Sequence, residues 1–404
     1  MSTHLSRRSL LSGAVVSSLN LALVPLTGPA ATAAGSGAAK IRNRRSATGM
    51  SRQAAVLLAP KTARPVTPQV HQFQVGAPVP GNDFALSAPQ RCGGFAVVGA
   101  TWAGAMPPGL GIAVRTQSGG VWSSWTDLTL DDADHGPDPS TAEARSANPA
   151  SHPLVVGNVD LVQMRATSRT GRLPRALRLA VVDPGTSPAD AAPVTQQGFA
   201  TNGGAAVIGQ ARHPKIRTRA AWGANERLRT RLPTFGVVRA GFVHHTVNTN
   251  DYTRADVPAI IRGIYAFHTQ VNGWSDIGYN FLVDRFGRIW EGRFGGVARN
   301  VIGAHTLGFN DVAFAMSAIG NFQTTQPSPE MVRAFGRLMA WKLGINNVRA
   351  GSMNQLLHGK SFRAISGHRD AGATLCPGIF LYDKIPTIRL IAVRRQQGAA
   401  APAL

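Results

Sequence analysis

A chain of 404 residues exceeds one ordinary domain, so two folded domains with tails are expected. Its 44% hydrophobic content is ample for core burial, while 44 glycines and 26 prolines favour turns and strands over long helices. A formal net charge of +22 suits anionic surroundings, and two cysteines, Cys92 and Cys376, exclude a disulfide framework while allowing one bridge.

Residues 1–34 read as an export signal of the twin-arginine type. Arg7 and Arg8 precede a modestly apolar run from Leu10 to Leu26. Ser, Gly, Asn and Pro interrupt that run, so it suits a signal segment rather than a stable membrane span. Ala31-Thr32-Ala33 is a small-x-small cleavage pattern, and no cysteine nearby suggests a lipoprotein. The plainer alternative is a tail with an accidental arginine pair. Residues 35–66 read as a basic, disordered linker, since residues 1–66 hold nine Lys/Arg and no acid.

Residues 67–185 read as an all-β domain of unknown role. Short β-prone runs at Phe95–Trp102, Gly111–Thr116, Val121–Trp125, Leu154–Gly157, Val159–Ala166 and Leu177–Val182 are separated by Gly, Pro and Asp at sandwich spacing. Alternation puts Trp122 and Trp125 on opposite faces; one could stack on a sugar, or both serve packing. Cys92 reads as a free or buried thiol. Residues 186–215 read as a second linker.

Residues 216–395 mix helix and strand, giving an α/β domain with a mixed central sheet flanked by helices, and 396–404 form a tail. Val237–Val243 and Ala313–Ile319 read as strands, and Gly278–Asp284 with Arg288–Glu291 as a hairpin. Thr253 reads as a helix cap, followed at helical spacing by Val257, Ile260, Ile261, Ile264, His268 and Val271. Ser328 and Pro329 open a second helix that Gly344 closes, and Leu381–Arg394 reads as the last. Residues 200–404 hold 25 basic and ten acidic side chains. That excess fits nucleic acid, an anionic envelope polymer or a solvated basic surface; an export signal argues against nucleic acid.

Chemistry concentrates in this half. His368 and Cys376 lie eight apart in a glycine-rich loop, a spacing foreign to zinc fingers, so any metal site recruits a distant ligand. The pair His244-His245 at the end of a strand is the candidate, and strand alternation lets only one of the two face a given metal. Imidazole and thiolate suit Zn²⁺, and three protein ligands leave a fourth position open, as in catalytic sites. Packed histidines and a buried thiol remain the alternative.

In order, Arg219–Ala224 (RAAWGA), Val243–Thr246 (VHHT), Trp274–Phe281 (WSDIGYNF), Gly287–Arg293 (GRIWEGR), Gly303–Thr306 (GAHT) and Gly367–Gly378 (GHRDAGATLCPG) resemble the peptidoglycan recognition protein and type-2 N-acetylmuramoyl-L-alanine amidase family. The β domain is similar to one preceding the catalytic domain in several secreted actinobacterial amidases. The resemblance implies zinc held by His244, His368 and Cys376, with His245 turned away. It implies Tyr279 and Thr374 as catalytic hydrogen-bond donors and His305 in the substrate groove. Arg293 and Glu291 are either substrate-groove residues or a structural ion pair. Phe286, Ala313 and Ala315 depart from the family pattern around the groove. The implied activity is zinc-dependent hydrolysis of the amide between the muramic acid lactyl group and L-alanine. The implied partner is peptidoglycan, with anionic wall polymers on the basic surface and no nucleic acid. A secreted or wall-associated monomer is expected, with residues 210–404 able to fold alone.

Overall fold

The structure is a computed structural model that describes residues 65–77, 83–130, 134–187, 190 and 211–398. All of them belong to one compact unit running from Val56 to Leu404. The segment read as an export signal and most of both expected linkers lie outside the described residues.

The first half is all-β, as its short β-prone runs predict. Strands β1 (Gln69–Gln74), β2 (Phe84–Leu86), β3 (Gln90–Ala103), β4 (Leu110–Ser118), β5 (Val121–Trp122), β6 (Thr126–Asp127), β7 (Leu154–Ser168) and β8 (Arg175–Asp183) form one antiparallel eight-stranded sheet. Its main path is β1-β8-β3-β7-β4-β5. The two runs expected at 154–157 and 159–166 are one strand, and the register against β3 shifts between Ala96 and Val97. The expected alternation at Trp122 and Trp125 fails because the chain leaves the strand after Trp122. Both indoles stack on the Arg115 guanidinium, at 4.6 and 4.8 Å, so they share a side. A short helix α1 (Ala142–Arg145), capped by Thr141, follows β6.

The second half places β9 (Ile216–Arg217), β10 (Ala240–His245), β11 (Phe281–Val283), β12 (Ile289–Glu291), β13 (Ala313–Ala318) and β16 (Ile365–Gly367) in a six-stranded mixed sheet. The order is β16-β10-β13-β11-β12-β9, with only β11 and β12 antiparallel. A small hairpin, β14 (Gln355–Leu357) and β15 (Lys360–Phe362), lies outside it. Helix α3 (Pro329–Gly344) begins where Ser328 Oγ accepts the Met331 amide, and with α5 (Ile385–Gln396) it covers one face through Phe335, Leu338, Met339 and Ile388. The expected single last helix is two, α4 (Ile379–Tyr382) and α5, because Pro386 opens a new helix rather than continuing the old one.

The other face carries α2 (Val257–Ala266), which runs on through one wider π-type turn to Val271. The cap differs from expectation. Thr253 bonds Asp256 Oδ2 through both its amide and its hydroxyl, and the helix starts at Val257. Every residue of α2 is buried, not one face alone. The reason is a second cover: Val97, Val155, Ala180 and Val182 of the β domain join Val257, Ile260, Ile264 and Phe267 in one apolar cluster. The close approach requires two glycines. A Cβ on Gly99 would sit 2.3 Å from the Phe267 ring, and one on Gly263 would sit 2.3 Å from Val97. Arg262 pins the start of the expected linker, donating to Pro184 O and Gly185 O and pairing with Asp190 at 2.7 Å. A continuous core therefore joins the two halves.

Candidate active site

The parallel sheet builds the site. β10 and β16 are neighbours, and their register sets Val243 opposite Gly367. The next residue on each chain is a histidine, so His244 and His368 emerge side by side at the carboxyl ends of adjacent strands, the usual ligand-binding edge of such sheets. Their ring centroids are 4.4 Å apart. After His368 the chain makes one tight turn and returns, with Arg369 N–H donating to Cys376 O. His244, His368 and Cys376 are fully or almost fully buried, and one ligand atom from each lies within 4.8 Å of the others. His245, on the opposite side of the strand, accepts the Phe322 amide on Nδ1, while its own backbone N–H points at Cys376 Sγ, 3.4 Å away.

The donor set fits zinc. His244 Nδ1 is 3.6 Å from Cys376 Sγ. A tetrahedral edge between a nitrogen at about 2.0 Å and a sulfur at about 2.3 Å from the metal is about 3.5 Å, close to that separation. The remaining ring nitrogens are oriented by neighbours, as metal-ligating histidines require. His368 Nε2 donates to the Asp134 carbonyl at 3.1 Å, which puts its unprotonated nitrogen at Nδ1. His244 Nε2 lies 3.1 Å from Thr306 Oγ1, and that hydroxyl is 3.0 Å from His305 Nδ1. If His244 donates to Thr306, then Thr306 donates to His305, leaving His305 Nε2 as an N–H donor. That atom is buried and has no hydrogen-bond partner among the described residues. Burial first, and neighbouring imidazoles second, hold His244 and His305 well below the ordinary histidine range, which keeps both rings neutral.

Tyr279 is buried with its ring 5.7 Å from that of His244. Its loop is stitched in place twice. Arg293 N–H donates to Tyr279 O, and Arg219 ion-pairs with Asp276 at 3.1 Å. Thr374 Oγ1 accepts the Cys376 amide at 3.1 Å, so it shapes the loop that carries the cysteine. Glu291 accepts the Arg219 amide at 3.3 Å, and burial raises its carboxyl above the ordinary range. Arg293 is buried, but its partner is Glu143, at 2.7 and 3.0 Å, and not Glu291.

Two further histidines surround the site. His268 accepts the Gly278 amide on Nδ1 and packs at a tilt against Trp274, with ring centroids 4.5 Å apart; its helical spacing marks it only as a core position. His135 comes from the β domain. Its ring lies 5.2 Å from Tyr279 and 6.1 Å from both His244 and His368. Nothing in its local sequence signals that placement.

Residues 234–379 match the family described as N-acetylmuramoyl-L-alanine amidase, and residues 53–198 match one described as Rv3811 N-terminal galactose-binding domain-like. Peptidoglycan-recognition protein SC2 of Drosophila simulans is 34% identical over 36% of this chain and 71% of its own length. Human N-acetylmuramoyl-L-alanine amidase is 34% identical over 43% of this chain and 28% of its own length. The solved structure of wild-type Drosophila PGRP-LB is 28% identical, with a TM-score of 0.36, covering 42% of this chain and 92% of that one. The chain belongs to the peptidoglycan recognition protein and N-acetylmuramoyl-L-alanine amidase family, with a galactose-binding-like domain ahead of the amidase domain.

Proposed function

We propose that this chain is a zinc-dependent amidase that hydrolyses the bond between the muramic acid lactyl group and L-alanine of the peptidoglycan stem peptide. The observation that carries the reading is the convergence of His244, His368 and Cys376 beside Tyr279 at one sheet edge. Non-catalytic members of the family typically lack the cysteine, and this chain keeps it. A zinc ion held by these three residues would polarise the scissile carbonyl and lower the pKa of the attacking water.

The protein supplies the rest. Two neutral imidazoles and one thiolate would leave a bound Zn²⁺ with a net positive charge, which would favour the developing oxyanion. The Tyr279 hydroxyl, the His305 Nε2–H and the Thr374 hydroxyl are the donors proposed to hold that oxygen, and their value is greatest because the site is buried. Burial of Trp274, Tyr279 and His305 keeps bulk water from the reacting atoms.

Peptidoglycan is the proposed partner, with anionic wall polymers drawn to the basic second half. No helix among the described residues is long and apolar enough to cross a membrane. Export by the twin-arginine route is proposed from Arg7 and Arg8, and secretion should fail when both become Lys. The test of function is purified protein with purified cell wall. One zinc per chain and release of new L-alanine amino termini are expected; wall binding without new amino termini would reduce the protein to a recognition module.

A further inference from the structure

The β domain reaches into the site through Asp134–Glu143, which lies after β6 and runs into α1. It lies along the amidase domain as an acidic strap on a basic partner. Asp134 O accepts Leu307 N–H at 2.8 Å and His368 Nε2–H at 3.1 Å, and its carboxylate accepts Ala373 N–H at 2.5 Å. Asp138 accepts Gly308 N–H and the Asn310 side chain at 2.6 and 2.9 Å. Glu143 makes a two-pronged pair with buried Arg293 and accepts Ser275 N–H at 2.9 Å. Between these clamps, the His135 ring packs among Tyr279, Trp274, His244 and His368. His135 Nε2 is buried there without a hydrogen-bond partner among the described residues.

The strap therefore faces Tyr279 through His135 and engages Arg293 through Glu143. A stem peptide reaching the Tyr279 side of the centre must displace His135, and a carboxylate approaching Arg293 must displace Glu143. We infer that Asp134–Glu143 is an intrachain occupant of the substrate groove that holds the protein latent until an anionic peptide of the wall competes it away. The inference rests on the amidase reading for the identity of the substrate. The strap's three carboxylates, set on backbone amides and a guanidinium, match the chemistry of an acidic peptide. A docked strap lowers apparent affinity by the fraction of molecules that are open, so nine-tenths docked costs about tenfold.

The test uses the full chain and a soluble N-acetylmuramoyl tripeptide. In the wild-type protein, cleavage by a glutamate-specific protease after Glu143 should be slow, because that carboxylate is held by Arg293. Saturating tripeptide should make the bond cleavable. Unchanged resistance under saturation overturns the inference. In Asp138→Ala/Glu143→Gln, tripeptide should bind roughly tenfold more tightly or better. Equal or weaker binding by a variant with the wild-type circular dichroism spectrum would show that the strap completes the groove, which also overturns the inference. Neither readout requires the amide to be cut. Strap release without hydrolysis would remove the amidase activity and leave the strap standing, whereas hydrolysis with a resistant strap would do the reverse.

Discussion

The two domains of this protein divide signal and contact in opposite ways. The amidase domain carries recognisable motifs, a net positive charge, and a mixed sheet whose parallel register puts chemistry at one edge. The galactose-binding-like domain carries no such motif and is near neutral, with eight basic and ten acidic residues over 67–199. Yet it packs on α2, anchors Arg262 and sends His135 against Tyr279. Motif density locates the reactive groups. It does not locate the surface that controls access to them, because that surface is made by packing between elements far apart in sequence.

The comparison predicts where changes will be felt. The largest effect belongs to the three residues proposed to hold zinc. Cys376→Ala or His368→Ala should lose zinc on dialysis, a drop well beyond the roughly 10–100-fold that loss of an outer-shell partner costs. His245→Ala should keep its metal far better than His244→Ala, and the reverse would put the wrong imidazole in the set. At the junction, Arg262→Ala removes a buried partner of Asp190, Pro184 and Gly185, for which about 3–5 kcal/mol is expected in denaturant unfolding. An unchanged midpoint would mean that the two halves are not coupled there. Tyr279→Phe keeps the ring and should slow turnover by roughly 10²-fold with zinc content intact; full activity would make the tyrosine a packing residue.

Smaller effects sharpen the same contrast. Gly263→Val drives a side chain into Val97 across the junction and should cost about 1–3 kcal/mol. The same cluster predicts that residues 211–398 alone expose Val257, Ile260, Ile264 and Phe267 and aggregate unless the β domain is present. A monomeric, cooperatively melting fragment would restore the beads-on-a-string picture. The mildest case is Cys92, whose thiol is pushed up to about 11 by burial and by Asp183. Only about one molecule in a thousand carries its thiolate at pH 8, so alkylation should run roughly a hundredfold slower than for an ordinary exposed thiol.

The sequence by itself went far in the amidase half. Strand alternation required His244 and His245 to face opposite sides, and the cap and proline at Ser328-Pro329 marked the start of α3. These features are local, because a period or a cap depends on a few neighbouring residues. Local patterns mislead where they are incomplete. Strand alternation does not hold between Trp122 and Trp125 because the chain bends between them. Pro386 starts a separate helix rather than lying in the first turns of one that begins at Leu381. The spacing of α2 implied one buried face, while the β domain buries the other.

What the chain order could not contain is distance between remote residues. His368 and Cys376 are eight apart, but their approach to His244 depends on the pairing of β10 with β16. Arg293 and Glu143 are 150 positions apart, and only the packing of two domains makes them an ion pair. His135 lies in an acidic loop with no period, cap or ligand spacing, so nothing in its neighbourhood distinguishes it from a solvated turn. Residue types and local spacing determined which groups can bind metal and donate protons. The tertiary structure alone decided which of them meet and what lies over them, because long-range pairing and shared burial are properties of the folded whole.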